Sequence, residues 1–369
     1  MSPLRAYEAS EVTEFDEFMS LESEWNALVK GSESDSPFLH HEWFRMWWSH
    51  FGGNARLAVV TVRKEGRLVL VIPLMETVDR PFGIPVVVLR SLTNLHSFRY
   101  QIVAERGELL SLAAAWELLR LRPRRWDFLE LQHVSGTSLA HEDLLEVAFE
   151  DGHRMGIWRG FDSPRLRIQG GWEGYLASLK PKFRSNLRNR MKRIQQIGPL
   201  GYELVRGPED LAASLSEAFA IEQLGWKGEQ GSAVASDSTL VRFYTEIGEH
   251  ASRNDWLRLW FLRLGDRRVA FEYDLEYKGV LYCMKIGYDP ALHPYSPGQL
   301  LKAAVLERAF ADGLAEYDFL GKMTDAKRDW TSEGRPSLWI YLYGRSALAK
   351  ILHTYKFTFK QTLRPLFSS

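Results

Sequence analysis

One cysteine, Cys283, stands among 369 residues, which excludes an internal disulfide framework and any cysteine-rich metal site. Net charge is missing too, because 47 basic residues balance 47 acidic ones. Nothing global therefore draws the chain to nucleic acid or to an anionic membrane, and only local clusters of charge keep either open. No apolar run approaches the roughly 20 residues that cross a bilayer. The opening MSPLRAYEASEVTEFDEF carries acids early and has no continuous apolar core, unlike a secretory signal. The expectation is a soluble, cytoplasmic protein with no metal, no nucleic-acid partner and no membrane span.

Aromatic residues make up 13% of the chain and include 13 Trp, enough for large cores and aromatic-lined clefts. The length exceeds what one core usually organises, so two domains are expected. Related patterns occur in both halves. Apolar strands at 57–62 and 68–74 surround Lys64-Glu65-Gly66-Arg67, and strands at 257–264 and 269–277 surround Gly265-Asp266-Arg267-Arg268. A helical stretch at 109–121 leads to Asp127-Phe128-Leu129, and one at 299–311 leads to Asp318-Phe319-Leu320. The first strands start 200 positions apart and the DFL triplets 191 apart, near-equal offsets that suggest a duplicated α/β unit. In the first half, residues 38–51 read as an aromatic helix, and Asn94, His96, Arg99 and Tyr100 form a polar cluster that either reads an acceptor sugar or is a plain surface loop.

Between the halves, Phe183, Leu187, Met191 and Ile194 recur at helical spacing in 181–197. The other faces carry Lys180, Lys182, Arg184, Arg188, Arg190, Lys192 and Arg193 without an acid. Such a run is either a solvated face or a grip on the phosphates of a cofactor or of a nucleotide-linked acceptor. The next helix places Glu222 in its last turn, ahead of Gly225-Trp226-Lys227, where the dipole disfavours an anion. Glu222 is then either a surface partner of Lys227 or a functional base. Glu272 and Asp274 alternate along VAFEYDLEY, opposite Phe271, Tyr273 and Leu275. They face solvent, or they line a cleft in which a carboxylate takes a proton from an amine.

The segment 282–310 runs from an extended stretch through a Pro/Gly turn into an amphipathic helix. That order offers backbone N–H groups at a helix start to an anion. Cys283 reads as a core thiol rather than a nucleophile.

Taken in order, the basic helix, Glu222 to Gly228, the second hairpin, Ser296-Pro297-Gly298-Gln299-Leu300-Leu301 and Tyr317-Asp318-Phe319-Leu320-Gly321 resemble the CelD-like acetyltransferases, relatives of the GNAT and FemABX acyltransferases. The resemblance implies an α/β (α+β) fold of tandem GNAT-like domains, each a mixed sheet flanked by helices. The divisions expected are 1–170, an acyl-CoA-binding domain at 171–345, and a basic tail at 346–369. It implies that Met284, Ile286, Gly287 and Tyr288 lie along the pantetheine arm of acetyl-CoA or another acyl-CoA. Ser296, Pro297, Gly298, Gln299 and Leu300 would receive its pyrophosphate. The turn departs from the usual GNAT pattern, with Tyr295 in place of Gln or Arg and Leu300 in place of a small residue. Lys327 matches the lysine of the FemABX Tyr-Lys pair, and Trp226, Lys227, Asp318 and Tyr100 complete the candidate substrate contacts. The implied reaction is direct attack of a small amine, such as an amino sugar of exopolysaccharide or cell-envelope pathways, on the thioester, with Glu222, Glu272 or Asp274 as base. Two alternatives stand beside it: a transferase using aminoacyl-tRNA, and a non-catalytic module of a polysaccharide-synthesis complex.

Overall fold

Tight turns set the strand register of the computed structural model, which describes residues 6–122, 125–136, 138–225, 231 and 233–359. Glu65 and Gly66, at φ of 51° and 79°, form a two-residue hairpin loop between β2 (Val59–Lys64) and β3 (Arg67–Ile72). Positive φ at both central positions matches the twist of the flanking strands. Lys278 and Gly279, at 47° and 75°, repeat the device between β10 (Arg267–Tyr277) and β11 (Val280–Tyr288).

The chain divides into two compact units, one formed by Met1–Phe161 with Pro336–Ser369 and the other by Asp162–Arg335. The division follows from strand pairing. In the first unit, β1 (Tyr7–Val12), β2 and β3 make one antiparallel sheet. A second sheet runs from β4 (Leu74–Asp79) through β5 (Val86–Ser91) to β6 (Phe128–Ser135). Residues 337–343 of β13 (Gly334–Tyr343) then pair antiparallel with β6. The segment 336–343 therefore falls with the first unit, although sequence places it beside the second.

Helix α1 (His41–Phe51) buries Trp43, Phe44, Met46 and Trp47. Helix α2 (Leu109–Leu121) links β5 to the parallel strand β6, and α3 (Leu139–Glu150) follows.

The second unit repeats this wiring. After α4 (Pro181–Gln195) come β8 (Leu200–Val205), α5 (Leu211–Gln223), α6 (Ser238–Arg253) and β9 (Leu257–Leu264). The strands β8, β9, β10 and β11 are antiparallel neighbours. Helix α7 (Pro297–Ala311) then carries the chain over to β12 (Glu316–Asp318), which is parallel to β11. The final residues of β7 (Arg154–Arg167) close the far edge of β12. In both units the parallel pair spans three residues, Val88 to Arg90 on Phe128 to Glu130 and Val280 to Tyr282 on Glu316 to Asp318. The first unit thus has an antiparallel sheet besides its mixed one and the second unit a mixed sheet, all flanked by helices, and the fold is a tandem GNAT-like arrangement.

The second unit's core joins Phe183, Leu187 and Ile194 of α4 to Leu300, Leu301, Val305 and Leu306 of α7. Among the described residues, no helix is long and apolar enough to cross a membrane.

Candidate functional site

Strand β11 runs on past its partner. Its parallel pairing with β12 ends at Tyr282 and Asp318, while β11 continues to Tyr288. Residues 283–288 therefore extend past the parallel pair, and among the described residues no strand is registered against that edge of β11, which opens a wedge there. A bulge between Tyr273 and Asp274 leaves Met284 as the extra residue on β11 and bends the strand where the wedge opens.

The start of α7 lies next in sequence beyond the wedge. Ser296 adopts the left-handed conformation, at φ 49°, and hands the chain to Pro297. Pro297 has no N–H, and the N–H groups of Gln299 and Leu300 turn back to the Ser296 carbonyl at 2.9 and 3.2 Å. Among the described residues, Gly298 is left as the first-turn residue whose N–H lacks a backbone acceptor. A β-carbon on Gly298 would lie 3.5 Å from the Tyr288 ring, so the turn and the end of β11 touch. The Tyr288 hydroxyl in turn meets His293 Nδ1 at 3.1 Å. Gln299 is occupied, accepting from Trp330 Nε1 at 2.6 Å. Leu300 is a core residue, 1% exposed, which explains a leucine where a phosphate turn usually has a small side chain.

Glu272 and Asp274 do not face solvent; both are buried beneath α7. Lys302 of α7 bonds Glu272 at 2.6 Å and Cys283 Sγ at 3.4 Å, and it also meets the Tyr317 hydroxyl. Tyr317 donates to Glu272 Oε1 at 2.5 Å. The ligand atoms of Glu272, Asp274 and Cys283 lie within 4.8 Å of one another, a spacing that suits a metal ion. The Lys302 ammonium already bonds two of the three, so a side chain supplies the positive charge there.

Neither oxygen of Asp274 has a hydrogen-bond partner. Burial, with Glu272 and Cys283 close by, pushes this carboxyl well above the usual carboxylate range, which favours its neutral form. Burial works to lower the Lys302 value, but Cys283, Glu272 and Asp274 together hold it above that of an ordinary lysine. Burial also raises the Cys283 thiol, which is free and reads as an inert core group.

Glu222 belongs to the opposite face of the sheet. It lies in the last turn of α5, is 2% exposed, and accepts the Val234 N–H at 2.9 Å. A β-carbon on Gly287 would lie 3.0 Å from Glu222 Cα, so α5 rests directly on β11 beyond its parallel pairing. Phe271, whose ring would meet the same atom, and Tyr273, which donates to the Tyr244 carbonyl at 3.1 Å, share this face. Burial, then the Glu222 charge, pushes the Tyr244 hydroxyl well up. The three candidate carboxylates therefore do not converge. Glu222 adjoins the wedge strand from one side, and Glu272 and Asp274 are sealed under α7 on the other.

Asp318 is fully buried at the end of the parallel pair, accepting the Leu320 N–H at 2.9 Å and facing Arg335 at 3.4 Å. Lys327 donates to the carbonyls of Leu320 and Lys322 at 2.6 and 3.3 Å, pinning the loop after β12. Met284 is buried and Ile286 is 44% exposed. Tyr100 sits in the first unit's core with its hydroxyl on the Pro73 carbonyl at 3.1 Å, so it presents no face to an acceptor. Trp226 and Lys227 lie outside the described residues.

Sequence reasoning passed over Lys302 and Tyr317. The signal was present, since Lys302, Val305, Leu306 and Ala309 recur at i, i+3, i+4 and i+7, which sets a lysine on the buried stripe of α7.

No curated protein matches the chain. Among solved structures, FemX superposes with a TM-score of 0.60 at 13% identity, covering 94% of this chain and 99% of its own. A conserved protein of unknown function from Bacteroides thetaiotaomicron VPI-5482 does so at 0.58 and 11%, covering 91% and 99%. The C-terminal domain (DUF2156) of a putative lysylphosphatidylglycerol synthetase from Agrobacterium fabrum reaches 0.51 at 11%, covering 92% and 96%. Identities this low speak for the fold alone. Residues 181–328, which contain the wedge and both carboxylate groups, match the family described as Acetyltransferase (GNAT) domain.

Proposed function

We propose that the second unit is an acyl-CoA-dependent N-acyltransferase, acetyl-CoA being the first donor to test. The acceptor class is a small amine, an amino sugar or nucleotide-linked amino sugar of a polysaccharide or envelope pathway, with association to a polysaccharide-synthesis complex as a corollary. The observation that carries this reading is the wedge, in which β11 leaves its parallel partner at Tyr282 and runs on to Tyr288 beside the start of α7.

A strand edge with no strand beside it past Tyr282 suits the extended pantetheine arm, which can lie along it as a further strand would. The helix start, with the Gly298 N–H, suits a pyrophosphate. Attack of an amine on a thioester needs a neutral nucleophile and stabilisation of the developing oxyanion, which backbone N–H groups near Ile286 or Gly287 would supply. Glu222 is the preferred base, since it rests on Gly287 where β11 runs on past its parallel partner. Asp274 is fully buried, with its neutral form favoured, and Glu272 is bound by Lys302, so neither is placed to take a proton from an incoming amine. The attacking amine loses a proton to Glu222 as the carbon–nitrogen bond forms, the carbon–sulfur bond then breaks, and CoA leaves as the thiol once its sulfur takes up the proton that Glu222 gives back, directly or through water.

Calorimetric titration with acetyl-CoA tests the donor. The expected result is binding by the native chain, lost in Gly298→Trp, whose ring displaces Tyr288. In Glu222→Gln, turnover is expected to fall about 10²-fold or more with donor affinity kept. No binding by the native chain sinks the acyl-CoA reading and directs attention to an aminoacyl-tRNA donor or a non-catalytic module.

A further inference from the structure

Acyl transfer leaves the charge of α4 unexplained. Its Phe183, Leu187 and Ile194 are buried, while Lys182, Arg188, Lys192 and Arg193 are exposed and Arg184 and Arg190 half-buried, with Lys180 exposed at the helix start. No carboxylate occurs in the sequence from 174 to 202. Among the described residues, none of these seven cations forms an ion pair. Arg184 adds a buried Nε with no hydrogen-bond partner, and Arg193 lies 5.2 Å above the ring of Tyr295.

Arg184, Arg188 and Lys192 follow one another at i, i+4, and Arg190 and Arg193 at i, i+3. Like charges at these spacings weaken a helix, so folding alone does not account for them. A groove of about 560 Å³ beside them is lined by Asn186, Asn189, Arg190, Lys192, Arg193 and Pro294. Its amides and guanidinium groups are donors suited to phosphate oxygens.

We propose that this face of α4 docks the second unit on an anionic lipid bilayer, with its cations taking lipid phosphates. Four to eight Lys and Arg on an amphipathic helix are what an anionic leaflet attracts. The charges run along the whole helix, about 22 Å long, as a planar partner requires. The helix has no exposed aromatic side chain for bases to stack on, which disfavours single-stranded nucleic acid. Ile197, two residues past the helix, is 49% exposed and offers an apolar contact at the interface.

The inference is independent of the acyl-CoA reading. Its test is co-sedimentation of the full chain with phosphatidylcholine vesicles, with and without phosphatidylglycerol. Binding is expected only to the anionic vesicles, released as salt shortens the Debye length from about 10 Å to about 3 Å. Arg188→Glu with Lys192→Glu, both exposed, is expected to lower partitioning at least 25-fold, about fivefold for each cation lost. Acetyl-CoA titration of that variant should be unchanged. If circular dichroism shows that it does not fold, Lys180→Glu with Lys182→Glu replaces it, because acids at a helix start favour the helix. Equal sedimentation with both vesicle types, no sedimentation with either, or binding unaltered in a folded variant overturns the proposal. Release from anionic vesicles by duplex RNA at equal phosphate overturns it in favour of nucleic acid.

Discussion

Asp274 has no hydrogen-bond partner on either oxygen and no exposed surface, and it lies close to Glu272. A carboxyl held protonated in the fold has a folded pKa above its unfolded one, so the folded chain binds more protons in the window between them. Stability from this group is complete below the unfolded value near 4 and falls as pH rises towards the folded value, by at most about 1.4 kcal/mol per pH unit. Asn copies the neutral acid and does not titrate. Asp274→Asn is therefore expected to match the native chain at acid pH and to gain on it as pH climbs to neutrality, read as the difference in Tm across a pH series. A constant difference would show that Asp274 ionises normally. Glu222 differs in kind. It was legible from sequence as an anion in a last turn, but its partner was not, because Val234 lies twelve residues on, beyond the reach of helical spacing.

Elements in this fold are positioned by what glycines omit. Gly287 has no β-carbon, and α5 uses the space to bring Glu222 against β11. Gly156 does the same for Phe357, whose ring occupies the place of a β-carbon and packs with Trp158, Tyr341 and Tyr343. Beside it, the Lys356 ammonium lies 3.4 Å above the Tyr341 ring. Gly156→Ala is expected to dislodge the segment after α8 (Ala347–Thr354) at a cost of about 1–3 kcal/mol from overpacking, and to expose it to limited proteolysis. Cleavage no faster than in the native chain would mean that the segment shifts without leaving. Hairpins and amphipathic helices were legible because they obey local periodicity, as in the Glu65-Gly66 loop. The cluster of Glu272, Asp274, Cys283, Lys302 and Tyr317 was not, because it joins three strands and a helix through contacts that no local spacing encodes.

At the scale of the whole chain, duplication was readable from near-equal offsets, and the structure gives each copy a three-residue parallel pair. The role of 336–343 was not readable, since its partner β6 lies two hundred residues earlier. A chain ending at Arg335 is expected to lose the first unit's cooperative unfolding, because Ile340 and Leu342 leave the core and β6 loses its neighbour. Proteolysis of that chain should degrade residues before 161 and spare a fragment beginning near 162; equal resistance of both parts would show that the first unit stands without its last strand.

The borrowed strand also fixes an order in time. On the ribosome the amino-terminal part of a chain ordinarily finishes folding first. Here every residue of the second unit has been synthesised once Arg335 is added, while the first unit still waits for its closing strand. Of the two units, the one whose strands are mostly translated earlier is completed later, with its sheet edge β6 open to other strands until residues 337–343 are made.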